Sequence, residues 1–198
     1  MKTNKLTVAD LILTGVYTAI YFILVFIATL VSSFLPGLSN VFLPALAALI
    51  SGSVYMLFVA KLQKFGGITI MGCVMGIFFF VSGHFFLSFA ANIVFGIIAD
   101  YVASIGKYKS KKYLMISYVL FSYGLTGPIL PLWFMKDAYL ANLTARGKSV
   151  EYITNVFSFI NTGSFFICLI SILVCAIIGG LFGMKMVRKH FVKAGIVA

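Results

Sequence analysis

Few residues in this chain could do chemistry, and their positions restrict what that chemistry is. There are four carboxylates, Asp10, Asp100, Asp137 and Glu151. Asp10 and Asp100 stand at the ends of apolar runs close to lysines, so pairing with lysine or solvation is their expected state. Asp137 and Glu151 lie in a more polar stretch. None stands in the middle of an apolar run, where a costly buried ionisable group would mark a proton relay or an ion pathway. HExxH and GxSxG are absent from the sequence, and so is a Ser–Lys dyad inside an apolar run. An intramembrane protease or an ion-coupled pump is therefore disfavoured, and no enzymatic activity is expected. Arg146-Gly-Lys148-Ser149 has the outline of a phosphate-binding loop, but Asn142 stands where the upstream glycine is required. Cys73, Cys168 and Cys175 sit inside apolar runs without CxxC spacing and read as small packing residues. No metal and no resident cofactor is expected. His84, at the edge of an apolar run, is either a turn residue or a ligand to substrate or metal, and His190 sits in a basic tail.

Binding is better represented than catalysis. Asn92, Tyr123, Thr126, Trp133, Asn155, Asn161 and Ser164 bring amides, hydroxyls and aromatic rings towards one end of three apolar runs, and Phe34 and Asn40 flank a fourth. An amide within a span must find a partner, which makes Asn92 the most informative of them. Together they could line a pocket with aromatic walls and a few polar groups. Asn92, Tyr123, Trp133, Asn161 and His84 are the candidate substrate-binding residues. Small residues four apart form a second pattern: Gly15 with Ala19, Gly72 with Gly76, Gly179 with Gly183. Residues at that spacing share a helix face and let two helices approach backbone to backbone.

The elements that position these residues follow from composition. The chain has 198 residues, of which 62% are hydrophobic and 10% charged. Soluble domains carry about a quarter of their residues as charges, and a soluble chain this small has no core large enough for so much apolar surface. The fold class is therefore an all-α membrane protein. Apolar runs cover about 11–34, 41–60, 67–82, 85–105, 113–134 and 161–184. A bilayer-crossing helix needs roughly 20 apolar residues, so the expectation is a single domain of six transmembrane helices. Pro36 and Gly37 break the first run from the second, and the segment from Lys136 to about Ile160 is expected to be the long loop.

Charge tests this layout. The net charge is +11, from 15 Lys and Arg against 4 Asp and Glu. In a soluble protein that balance would point to nucleic acid. With both termini placed in the cytoplasm, the inner segments hold Lys2, Lys5, Lys61, Lys64, Lys107, Lys109, Lys111, Lys112, Lys185, Arg188, Lys189 and Lys193. The outer segments hold only Lys136, Arg146 and Lys148. This asymmetry follows the positive-inside rule and accounts for the charge without nucleic acid.

Three local sequences carry a family resemblance: LFVAKLQKFGG over Leu57–Gly67, ADYVASIGKYKSKK over Ala99–Lys112, and RKHFVKAGI over Arg188–Ile196. With the six-run layout they resemble the Trep_Strep family of integral membrane proteins, and through it the substrate-binding S components of energy-coupling factor (ECF) transporters. That resemblance implies an S-component-like bundle that captures a vitamin-like micronutrient from outside. Its implied partners are a transmembrane scaffold subunit and two ABC ATPases that supply the energy. The AxxxA pattern of such helices corresponds here to Gly15 and Ala19, glycine replacing the first alanine while smallness is kept, which implies a scaffold-docking face. The implied pocket uses the first outer loop and the outer halves of helices 4 to 6. Haem or another tetrapyrrole with His84 as axial ligand, or a vitamin-like heterocycle, are both open as substrates. The alternative is a membrane interaction or assembly protein with no small-molecule ligand of its own.

Overall fold

The structure is a computed structural model and describes residues 5–34 and 38–192. The expected break at Pro36 and Gly37, and Lys2 and Lys193 of the charge count, lie outside the described residues. In chain order the helices are α1 (Val8–Ser32), α2 (Ser39–Leu62), α3 (Gly67–Val81), α4 (Phe86–Ile105), α5 (Lys111–Tyr123), α6 (Pro131–Phe134), α7 (Lys136–Ala145), α8 (Val150–Ser158) and α9 (Thr162–Met186). The chain continues past α9 in a π-helical turn.

Four of these helices, α1, α2, α4 and α9, are long and apolar enough to cross a bilayer. Helix α3 is apolar but has only 15 residues, a rise of about 22 Å against a hydrocarbon core of about 30 Å. The fifth apolar run differs from expectation. Rather than one helix over 113–134, α5 stops at Tyr123, a 3-10 turn covers Gly124–Thr126, and α6 resumes at Pro131. Proline has no N–H to donate and its ring clashes with the preceding turn, so Pro128 and Pro131 prevent a continuous helix. Gly127 lets this irregular segment pass close to α4: a Cβ there would meet Leu87 O and Ser88 Cα at 2.7 Å. The long loop expected after it is instead the two short helices α7 and α8.

Six helices close into a ring in the order α1, α2, α9, α5, α4, α3, with α3 returning to α1 and α2 touching α5 across the middle. Helix α1 shows why the ring forms. Its buried residues Thr14, Tyr17, Thr18, Tyr21, Val25 and Ala28 recur at helical spacing on one face. The opposite face exposes Leu11, Ile12, Val16, Ile20, Ile23 and Ile27. Apolar residues on the outside as well as the inside make a bundle that faces lipid. Several polar groups inside it pair across helices. Tyr55 OH meets Ser117 Oγ at 2.6 Å, Ser117 donates to Ala99 O at 2.6 Å, and Tyr118 donates to Ala48 O at 2.5 Å.

The tightest seam joins α2 to α9. A Cβ on Gly179 would stand 2.5 Å from Ala48 O and Leu49 O, and one on Gly52 or Gly183 would collide with backbone of the facing helix. The Gly72 and Gly76 pair does the same for α3 against α4, lying against Asn92 O and Phe89 O. Two of the three small-residue pairs are thus internal packing. The third is not: a Cβ on Gly15 would meet nothing within 4 Å, and both Gly15 and Ala19 face outward.

At the end of the bundle where α1 begins, Asp10 completes a capping box with Thr7 and accepts from Lys64 Nζ at 2.6 Å, tying α1 to the end of α2. This is the lysine partner expected for it. Asp100 departs from that expectation. It is fully buried and unpaired with any lysine in the described residues. Its Oδ2 accepts from Gly66 N (2.9 Å), Thr69 N (3.0 Å) and Thr69 Oγ1 (2.9 Å), and its Oδ1 from Tyr108 OH (2.8 Å). The first N–H groups of a helix have no partner within it and carry partial positive charge. The side chain of Asp100 from α4 accepts those N–H groups, and the donors gathered at the start of α3 take the place of a lysine partner for it.

Candidate functional site

The opposite end of the bundle, where α1 finishes, holds a cavity of about 520 Å³. Helix α1 contributes Phe22, Ile23, Val25, Phe26 and Thr29, and α2 contributes Asn40 and Leu43. Phe78 and Phe79 come from the last turn of α3, with His84 just beyond it. Leu125, Pro128 and Ile129 come from the broken segment after α5. Tyr139 and Leu143 of α7, Arg146 just past its end, then Lys148 and Tyr152, close the remaining side. A second cavity of about 420 Å³ shares Thr29, Asn40, Leu43, Lys148 and Tyr152 with it and adds Ser32, Ser33, Ser39 and Asn155. The space therefore has an aromatic half and a half rich in hydroxyls and amides.

Local sequence explains the placement. Gly83 adopts φ +79°, a left-handed conformation that ends α3. Its N–H bonds to Phe80 O at 3.1 Å, and the His84 N–H returns to Phe79 O at 3.0 Å. That turn holds the imidazole against the Phe79 ring, centroids 5.3 Å apart. Phe22 and Phe78 meet edge to face at 4.5 Å and join α1 to α3 beneath it. Gly147, at φ +69°, turns the chain between α7 and α8, and Ser149 caps α8 by accepting from Tyr152 N at 3.2 Å. Arg146 and Lys148 flank that turn, and Lys148 Nζ lies 5.2 Å from the centre of the Tyr152 ring.

Among the described residues, three buried side-chain polar atoms have no hydrogen-bond partner: Tyr21 OH, Asn40 Nδ2 and His84 Nδ1. Two of the three belong to this cavity. Buried polar atoms are nearly always paired, and leaving one unpaired costs about 1–3 kcal/mol. Two such atoms in one cavity leave hydrogen-bonding capacity there that no described residue of the chain meets. Burial, and then the Arg146 charge, push the His84 pKa below its ordinary value. The Tyr139 phenol is pushed up to about 12 by burial and by Tyr152. No carboxylate lines either cavity among the described residues, whereas Arg146 and Lys148 do. The arrangement is suited to holding a molecule.

Of the five candidate substrate-binding residues, His84 alone lines this cavity. Asn92 is 3% exposed, donates to Ser88 O at 2.8 Å and packs against Gly72 and Gly124. Its amide found its partner inside its own helix. Tyr123 donates to Leu169 O at 3.0 Å and ties α5 to α9. Trp133 donates to Asn161 O (3.1 Å) and Ser164 Oγ (3.2 Å), while Asn161 caps α9. These four hold the helices around the cavity together, and none of them touches it. Asn40 and Asn155 of the wider polar group do line the space.

Arg146 and Lys148 were legible in another way. They are two of the three cations that the charge asymmetry leaves in the segments assigned to the outside. A cation that runs against the general bias needs its own reason, and lining a cavity is one.

No curated protein and no solved structure matches this chain. A family model described as a hypothetical bacterial integral membrane protein, Trep_Strep, matches residues 8–193. That match agrees with the apolar-faced bundle in placing the protein in the membrane with several crossings. The chain belongs to the Trep_Strep family of bacterial integral membrane proteins.

Proposed function

We propose that this protein is the substrate-binding membrane subunit, the S component, of an ECF-type importer. It captures a micronutrient from outside and delivers it inward with a transmembrane scaffold subunit and two ABC ATPases. In this reading α3 and the α5–α6 segment complete six crossings, both termini are cytoplasmic, and the cavity end faces outward. The observation that carries the reading is the cavity with two unpartnered buried polar atoms at the end away from most of the lysines. The outward face of α1 supports it. Gly15 and Ala19 leave a shallow strip there that no other helix among the described residues covers. Lipid tails are as apolar as leucine, so pairing in a bilayer depends on close contact between small residues. A scaffold subunit would dock on that strip.

The test is co-purification with scaffold and ATPases, measured beside substrate uptake. Gly15→Leu and Ala19→Leu should block assembly and uptake while the isolated subunit keeps its fold and its bound molecule. Unchanged assembly and uptake in both variants would remove the docking face and with it the main mechanistic support. A subunit that assembles with other membrane proteins but never carries a small molecule would instead be an assembly protein.

A further inference from the structure

Taking the cavity as a substrate site, its chemistry narrows the substrate. The aromatic half, built from Phe22, Phe26, Phe78 and Phe79, has no charge to offer. Arg146, which lines the first cavity beside those rings, and Lys148, which lines both cavities, bring positive charge with no carboxylate among the described lining residues to neutralise it. Two cations close to a low-dielectric wall attract an anion more strongly than they would in water, and an arginine fork matches a carboxylate in two parallel hydrogen bonds. The Asn40 amide, which lines both cavities, and the His84 imidazole, which lines the first, add their unpartnered nitrogens. We propose that the cavity takes an amphipathic organic anion. A flat apolar body sits against the phenylalanines, a carboxylate is held by Arg146 and Lys148, and a polar edge is read by Asn40 and His84. A cationic substrate would be repelled by the two cations, and a charge-free one would gain nothing from them.

The probes are 2-naphthoate and its neutral counterpart 2-naphthamide, which share a ring system and differ in charge. Both are titrated calorimetrically into the purified detergent-solubilised protein and into the Arg146→Gln/Lys148→Gln double variant. Both substituted residues are exposed, so an unchanged melting temperature is required of the variant and expected. The wild type should bind naphthoate about 10-fold or more tighter than naphthamide, the scale of a hydrogen bond to a charged group. The variant should lose that preference yet still bind naphthamide. Equal affinity for the two probes in the wild type, a preference that survives in the variant, or binding of neither probe would overturn the proposal. Native mass spectrometry of the protein purified from bacterial membranes separates this failure from failure of the transport reading. A bound neutral or cationic nutrient would overturn the anion class and keep the transport reading. A bound phospholipid, or no bound molecule together with binding of neither probe, would overturn both.

Discussion

Gly179→Ala adds one methyl group to the seam between α2 and α9, and its effect follows from two distances. The new Cβ would stand 2.5 Å from both Ala48 O and Leu49 O, where ordinary contact begins at 3.4 Å. The colliding atoms are backbone, so no side chain can rotate away. The helices must part by about 0.9 Å, and dispersion contacts weaken steeply over such a gap. The neighbouring Gly52 and Gly183 approaches on the same seam would open with it. Overpacking of this kind costs about 1–3 kcal/mol, and an unyielding backbone contact belongs at the upper end. Gly15→Ala is the matched control. Its Cβ meets nothing within 4 Å, and alanine is favoured over glycine inside a helix by about 0.5–1 kcal/mol. Unfolding by dodecyl sulfate in mixed micelles, followed by circular dichroism, should show Gly179→Ala clearly destabilised and Gly15→Ala equal to or above wild type. Gly179→Ala unfolding with the wild type, or Gly15→Ala falling as far as Gly179→Ala, would refute the assignment of the two glycines to inner seam and outer face.

Asp100→Ala removes the acceptor of two backbone N–H groups and two hydroxyls. It should lower unfolding stability by on the order of 3 kcal/mol, with Asp100→Asn losing less; wild-type stability in the alanine variant would show that the cluster contributes nothing. Because burial and Arg146 lower the His84 pKa, the folded protein holds fewer protons than the unfolded one. The associated stability is therefore complete above the ordinary value of 6.5 and is lost as pH falls through the folded-state value. Melting temperatures measured across that range should fall more steeply for the wild type than for His84→Asn, and parallel curves would contradict the burial argument. For topology, a cysteine at Ser110 should be shielded from an impermeant thiol reagent in intact cells and one at Ser149 should react; the reverse pattern would overturn the proposed orientation.

Much of the fold was written in local sequence. Hydrophobicity and its period depend on neighbours along the chain, so the runs at 11–34, 41–60, 67–82, 85–105 and 161–184 reappear as helices with ends shifted by a few residues. The lysines beside those runs and the outward-facing isoleucines of α1 follow from the same physics, since lipid rewards apolar surface wherever it is exposed. The fifth run failed because apolar content hid its breakers: Gly127, Pro128 and Pro131 outweigh composition once a helix must place every N–H. The segment after it read as loop because α7 and α8 are short and gain their burial from contacts made elsewhere, such as Leu143 and Val156.

The site was legible only in part, for a different reason. An amide in a span announces a need for a partner but not which partner. Asn92 met that need at Ser88 O, one turn back in its own helix, while Asn40 Nδ2 and His84 Nδ1 have none in the described residues. Likewise, Gly15 and Gly179 read alike as small residues in apolar helices, and only the presence or absence of a facing backbone separates lipid-facing strip from inner seam. The cavity joins residues from 22–29, 40–43, 78–84, 125–129 and 139–152. Composition and period determined that this chain is a membrane-embedded helical bundle. Which of its polar groups stay unpaired was decided by the ring closing around them, because pairing depends on distances in space that spacing along a chain does not set.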